Sequence, residues 1–260
     1  MTYQHILATM KSPRMRAMLC AIFLSSIVAA CGGGSLGEVS ATLRIEGEAT
    51  QTPTTQTCTV DLFGDSILRG EYWKYNPQVF TRLAEPPADT LRRLRPDYAI
   101  HDHTASGVSM QMLIDGYTPP FEDGASPRAA FAQYPRTGRV VVVENGVIDS
   151  WQNGANFPAN LNAAISTIKA EGRKPVIAGF SKQAIKTGDQ AYITQEMLTR
   201  RDSYNETAKS VAASTGSIFA DMGLAEFSGA SDIVDNVHPT KAYSDRLMNR
   251  LAVAIDQACQ

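Results

Sequence analysis

The order of residues predicts an α/β domain, a three-layer α/β/α sandwich around a central parallel sheet. Three observations carry this. Val140 to Val143 is an unbroken run of valines, the pattern of a parallel strand buried on both faces. Short β-prone runs alternate with longer helical patterns from residue 57 onward, the order of a sheet covered by helices on both sides. Near the C-terminus Tyr243, Leu247, Leu251 and Ile255 recur at i+4 steps, so the last element is an amphipathic helix.

The elements follow in order. Cys58 to Phe63 is the first strand and ends at Gly64. Thr90 to Arg95 is basic and helix-like, and Asp97 to His101 is the next strand. After the valine run, Phe157, Leu161, Ala164, Ile165 and Ile168 mark a helix that ends near Gly172. Pro175 to Phe180 is a buried strand, Tyr192 to Ala213 is helical in pattern, and Ser217 to Ala220 is a last short strand. Pro239 is expected at the first position of the final helix. Two stretches exceed simple connections: Glu71 to Pro87, with Tyr72, Trp73, Tyr75 and Phe80, and Tyr117 to Arg136, rich in Pro, Gly and aromatics. Both are expected over the C-terminal ends of the strands, where open α/β sheets bind ligands.

Ahead of this domain the chain reads differently. Lys11, Arg14 and Arg16 precede an apolar run from Ala17 to Ala30, too short to span a bilayer stably. Residues 1–30 are therefore expected to be a signal peptide. The run ends Val28-Ala29-Ala30-Cys31, which resembles the bacterial lipobox. The resemblance implies diacylglycerol on Cys31 and a place in the bacterial cell envelope, with the membrane as a partner through that lipid. Gly32, rather than Asp, follows the cysteine and points to the outer membrane, facing periplasm or surface. An ordinary signal peptide with an incidental Cys31 is the other reading. Residues 31–56, rich in Gly, Ser, Thr and Glu, read as a tether, in which Ala41 to Glu46 alternates weakly like an edge strand.

Composition narrows the function classes. With 43% hydrophobic and 19% charged residues the chain is ordinary and globular, and its net charge is −2. It has no basic run of the kind that binds nucleic acid. Beyond Cys20 and Cys31, two cysteines remain, Cys58 and Cys259, an even pair in an oxidising compartment. One stands at the entry to the first strand and the other at the exit of the last helix. A helix antiparallel to its neighbouring strand ends near where that strand begins, which predicts a Cys58–Cys259 disulfide.

The chemistry is concentrated in two short segments. Gly64-Asp65-Ser66 follows the first strand directly. A serine there, at the mouth of a helix, is placed to act as a nucleophile; the same tripeptide also serves as an ordinary turn or cap. Asp235-Asn236-Val237-His238 lies near the C-terminus. An Asp three residues before a His can orient its imidazole, which would then serve Ser66 as general base.

Together these segments resemble the SGNH (GDSL-like) hydrolases, whose first block is Gly-Asp-Ser and whose last is Asp-x-x-His. The resemblance covers about residues 57–260 and implies a flavodoxin-like sheet, a triad of Ser66, His238 and Asp235, and carboxylic-ester hydrolysis without cofactor or metal. The family's second block, a glycine whose N–H binds the oxyanion, matches Gly107. Its third block, Gly-x-Asn-Asp, reads Gly146-Val147-Ile148-Asp149 here. Ile148 cannot donate the hydrogen bond that the family's Asn gives the oxyanion. Losing one such donor costs about 2.7–4 kcal/mol of transition-state stabilisation. The backbone N–H groups of Ser66 and Gly107 remain, and Asn145, Gln152 or Asn153 are candidate substitutes. Substrates within the resemblance are small-molecule or glycan esters, with O-acyl groups on envelope or extracellular carbohydrates favoured. The competing reading is a non-catalytic envelope lipoprotein that keeps the fold as a ligand-binding module.

Other signals carry less. His101-Asp102-His103 puts two imidazoles on one strand face without an evident third metal ligand. Serine–lysine patterns of the penicillin-binding type occur in the wrong order, and no Gly-x-Ser-x-Gly elbow exists. Tyr72, Trp73 and Trp151 are candidates for the substrate pocket, with packing of loops onto the domain as the alternative.

Overall fold

A computed structural model describes residues 57–75, 78–186 and 193–260. Cys31, the signal peptide and the tether, including the Ala41 to Glu46 stretch, lie outside the described residues. Among the described residues no helix is long and apolar enough to cross a membrane.

The chain runs through β1 (Thr59–Phe63), α1 (Ser66–Arg69), β2 (Glu71–Tyr75), β3 (Gln78–Arg82), α2 (Pro87–Leu94), β4 (Ala99–Asp102) and α3 (Met110–Asp115). It continues through β5 (Val140–Val143), α4 (Val147–Gln152), α5 (Phe157–Ala170), β6 (Lys174–Ala178), α6 (Gln195–Thr215), β7 (Ile218–Ala220) and α7 (Lys241–Cys259). Five strands form a parallel sheet in the order β4-β1-β5-β6-β7. The strand order reverses beside β1, so the crevice lies at the carboxyl ends of β1 and β5.

The valine run explains the three layers. Val140 and Val142 join one apolar cluster, with Leu247, Leu251 and Ile255 of α7 and Leu91 of α2. Val141 and Val143 join the other, with Leu161, Ile165 and Ile168 of α5 and Val211 of α6. None of the four valines is more than 1% exposed. Burying such a side chain fully contributes about 1.5–3 kcal/mol. A period of two in the backbone thus sends alternate valines into opposite cores.

The predicted disulfide is present. Cys58 and Cys259 are bonded with their Cα atoms 5.9 Å apart, and both belong to the α2–α7 side of the core.

One expectation is extended and one corrected. Glu71 to Pro87, expected to exceed a simple connection, does so in a form that was not expected: β2 and β3 pair as an antiparallel hairpin, Trp73 opposite Phe80. Pro239 does not open α7. Thr240 caps the helix, its side chain accepting from Tyr243 N, because a hydroxyl can satisfy a free helical N–H and a proline ring cannot. Pro239 instead forms an antiparallel bridge with Ile233.

One carboxylate sits within the sheet. Asp61 in β1 is fully buried and accepts from Thr137 N and Gly138 N. His101 Nδ1 lies 2.9 Å and His103 Nε2 3.4 Å from its Oδ1. Burial alone would raise its pKa. The hydrogen bonds from His103, Gly138 and His101 more than reverse that and hold it at about 2. The two histidines are therefore partners of a buried carboxylate, and among the described residues no group of three or more His, Cys, Asp or Glu could hold a metal ion.

Two outcomes follow for stability. Replacing Cys58 and Cys259 by Ser should lower the unfolding free energy by about 3–5 kcal/mol, read from denaturant midpoints under non-reducing conditions. Asp61 is more acidic folded than in its ordinary state at 3.8, so its contribution is full above about pH 4 and fades toward pH 2. Unfolding measured against pH should show wild type losing its advantage over Asp61→Asn across that window; a constant gap would contradict the assignment.

Candidate active site

Ser66 begins α1 immediately beyond β1. Asp65 caps this turn, its Oδ1 accepting from Ile67 N at 2.9 Å. His238 arrives from the far end of the chain, on the loop between Ile233 and Pro239. Val234 N donates to His238 O and Thr240 N to Asp232 O, both at 2.8 Å, and these bonds pinch the loop shut. Asp235 Oδ1 accepts from the backbone N–H groups of Val237 and His238, each at 2.8 Å.

The three side chains meet in a line. His238 Nδ1 lies 2.6 Å from Asp235 Oδ2, and His238 Nε2 lies 2.8 Å from Ser66 Oγ. An ionised carboxylate can only accept, so Nδ1 carries the proton and Nε2 is left to receive the serine's. Burial pushes the Asp235 pKa up. The hydrogen bond and charge of His238, with the N–H groups of His238 and Trp73, outweigh this and leave it below the ordinary carboxylate range. Asp235 is 1% exposed, His238 6% and Ser66 7%.

The fourth bond to Asp235 was not foreseen. Trp73 N, in β2, donates to Asp235 Oδ2 at 2.9 Å. The hairpin is thereby fastened to the carboxylate across 162 residues of chain. Trp73 stacks edge-on against Phe80 with ring centroids 5.0 Å apart, and Phe80 lies edge-on to His238 at 6.4 Å. Trp73 thus lies beside the triad. Tyr72 does not: adjacent strand residues face opposite ways, and its ring lies 5.8 Å from Lys74 Nζ on the other face of the hairpin. Trp151, in α4, is half-buried against the apolar cluster that includes Leu161 of α5 and Val211 of α6, as the packing alternative expects.

Gly107 follows β4 with φ +74°, a conformation that favours glycine. A Cβ there would fall 2.4 Å from the Phe121 ring, so the ring lies directly on this backbone. Asn145 stands differently from the expected oxyanion donor. It is 2% exposed, and its Nδ2 donates to Val108 O at 3.0 Å. Asp149 Oδ2 accepts from Met110 N at 2.7 Å. Both side chains brace the segment that carries Gly107. Ile148 is 9% exposed in the first turn of α4. Gln152 and Asn153 are solvent-exposed.

Behind Ser66 lies a pair of carboxyls absent from the sequence reading. Asp65 and Glu144 are each 1% exposed, and Asp65 N donates to Glu144 Oε2 at 3.3 Å. Burial and mutual repulsion raise Glu144 well above the ordinary range. Burial also raises Asp65, to about 6, against the pull of Ile67 N–H and the His238 charge. Two adjacent buried carboxyls cannot both ionise, so one keeps its proton at neutral pH. Glu144 directly follows the valine strand, a position whose burial was readable although its partner was not.

The sequence matches no family profile and no curated protein. Solved structures do resemble the fold. A carbohydrate acetylesterase from Sinorhizobium meliloti, Est24, superimposes with TM-score 0.59 at 14% identity, over 77% of this chain and 99% of its own. An aryl esterase from M. smegmatis gives 0.58 at 17%, over 77% and 99%. The acetylxylan esterase Axe2 from Geobacillus stearothermophilus gives 0.52 at 20%, over 76% and 93%. The fold is that of the SGNH hydrolases. These neighbours are ester hydrolases by their descriptions.

The geometry makes one substitution informative. Asp235→Asn should keep the central sheet and its helices, loosen the hairpin that Trp73 N fastens, and lower kcat by about 10⁴-fold, because an amide nitrogen cannot accept from Trp73 N or hold the imidazole tautomer. Steady-state kinetics beside a circular dichroism spectrum checks this; a loss under tenfold would contradict the orienting role.

Proposed function

We propose that this chain is a serine hydrolase that cleaves carboxylic esters through an acyl-enzyme. The observation that carries the reading is the unbroken line from Asp235 through His238 to Ser66, at 2.6 and 2.8 Å. Ser66 Oγ attacks the ester carbonyl carbon while its proton passes to His238 Nε2. Asp235 stabilises the imidazolium that forms. Collapse of the tetrahedral intermediate breaks the bond to the alcohol oxygen, which takes the proton from His238. Water then attacks the acyl-serine, giving its proton to His238, and the acid leaves with Ser66 restored. The N–H groups of Ser66 and Gly107 are the proposed oxyanion donors.

The finer reading is removal of O-acyl groups from carbohydrates of the cell envelope or its surroundings. It is supported by the carbohydrate acetylesterase and acetylxylan esterase among the structures of similar fold. The aromatic rings of Trp73 and Phe80 beside the triad suit a sugar face. Lipidation at Cys31, with placement in the outer membrane, belongs to the same proposal and rests on the sequence Val28 to Gly34.

The test compares the purified chain with Ser66→Ala on chromogenic esters of increasing acyl length and on acetylated xylo-oligosaccharides. Wild type should hydrolyse short acyl esters at least about 10³-fold faster than the variant. Equal rates would favour a binding module that keeps the fold without the chemistry.

A further inference from the structure

A substrate carbonyl must come within about 3–3.5 Å of the nucleophile, yet Ser66 and His238 are nearly closed off, at 7% and 6% exposure. Two aromatic side chains stand at this site, Phe80 against His238 and Phe121 against Phe80 and Gly107. The hairpin brings Phe80, and the segment from Tyr117 to Arg128 brings Phe121, whose ring centroid lies 4.8 Å from that of Phe80. The hairpin is firmly tied. Besides the bond from Trp73 N to Asp235, Leu83 N donates to Gly70 O and Arg82 Nε to Arg69 O.

The other segment is tied mainly at its base. Tyr117 and Arg128 exchange backbone hydrogen bonds, N to O, at 3.1 and 2.7 Å. Arg128 Nη1 also donates to His103 O at 2.6 Å. Among the described residues the tip is clasped to the body by one ion pair, Arg69 to Glu122 at 2.9 Å, with both side chains partly exposed; such pairs are weak. Phe121 itself is 37% exposed, an apolar ring half in water and half against Gly107 and Phe80.

We propose that Phe121 determines substrate specificity: its ring holds the place beside Phe80 that a ring-shaped, apolar-faced group of the ester takes when the tip between Tyr117 and Arg128 swings out. This rests on the hydrolase reading and names the substrate class within it. The displaced ring, tilted at 45° to Phe80, is replaced by another apolar face, so the contact with Phe80 is kept while the clasp and the ring's contact with Gly107 are lost. A small ester without such a face opens the site and refills nothing.

The test measures kcat and KM for the full-length chain on ethyl acetate, phenyl acetate and ethyl benzoate, with Phe121→Ala, Phe121→Leu, Glu122→Gln and Ser66→Ala. Phe121→Ala should raise kcat/KM about 10-fold or more for at least one ring-bearing ester, chiefly through KM, and less than about 3-fold for ethyl acetate. Gain on phenyl acetate assigns the place to the alcohol side, gain on ethyl benzoate to the acyl side. Phe121→Leu should fall between, and Glu122→Gln should speed all three esters alike. Ratios among the three esters that Phe121→Ala leaves unchanged would overturn the proposal while leaving the hydrolase intact. Turnover no faster than Ser66→Ala on every ester would overturn both.

Discussion

A carboxylate with almost no access to water must find its hydrogen bonds inside the protein. Asp235 meets that demand with four: two from its own loop, one from the His238 ring and one from Trp73 N in β2. Satisfying one charge therefore orders three parts of the chain. It curls the 233–239 loop, selects the imidazole tautomer and docks the hairpin. Removing any donor would leave a buried charge underpaired. The bonds that satisfy this charge also set the line from Asp235 through His238 to Ser66.

The sheet supplies the other half of the arrangement. Residues at the carboxyl ends of β1 and β5 lie next to each other because those strands pair in register, Phe63 beside Val143. The segments that follow, Gly64-Asp65-Ser66 and Glu144-Asn145-Gly146, are thus forced together. Gly146 has φ +151°, and a Cβ there would meet Phe180 at 2.3 Å, so the turn out of β5 can pass close to the core only as glycine. Asn145 and Asp149 then reach across to brace the residues after Gly107. The backbone beyond Gly107 is thus held by side chains bonded to Val108 and Met110.

Much of this was legible from residue order. The valine run, the helical spacings and the two end segments placed the sheet, the layers and the Ser–His–Asp line, and the cysteine positions located the bridge. What stayed hidden depended on tertiary proximity. The hairpin of β2 and β3 looked like a connection because its aromatics are not separated by a glycine turn and Pro77 interrupts the run. Trp73 contributes through its backbone, which no side-chain motif announces. The Asp65–Glu144 contact spans 79 residues and has no spacing to read. Trp151 stayed open between two readings because an indole beside a binding crevice and an indole packed on a helix look alike in one dimension.

The bridge between Cys58 and Cys259 has a mechanical meaning. β1 rises about 3.3 Å per residue, so Thr59, beside the bridge, and Phe63, which leads into Ser66, lie at opposite ends of the strand. The attachment of residue 57 to the domain lies at the disulfide end of β1. A pull on that attachment is shared between β1 and α7 through a covalent link before it reaches any part of the crevice. Such a load meets the disulfide first, and Ser66 is reached only through the length of β1.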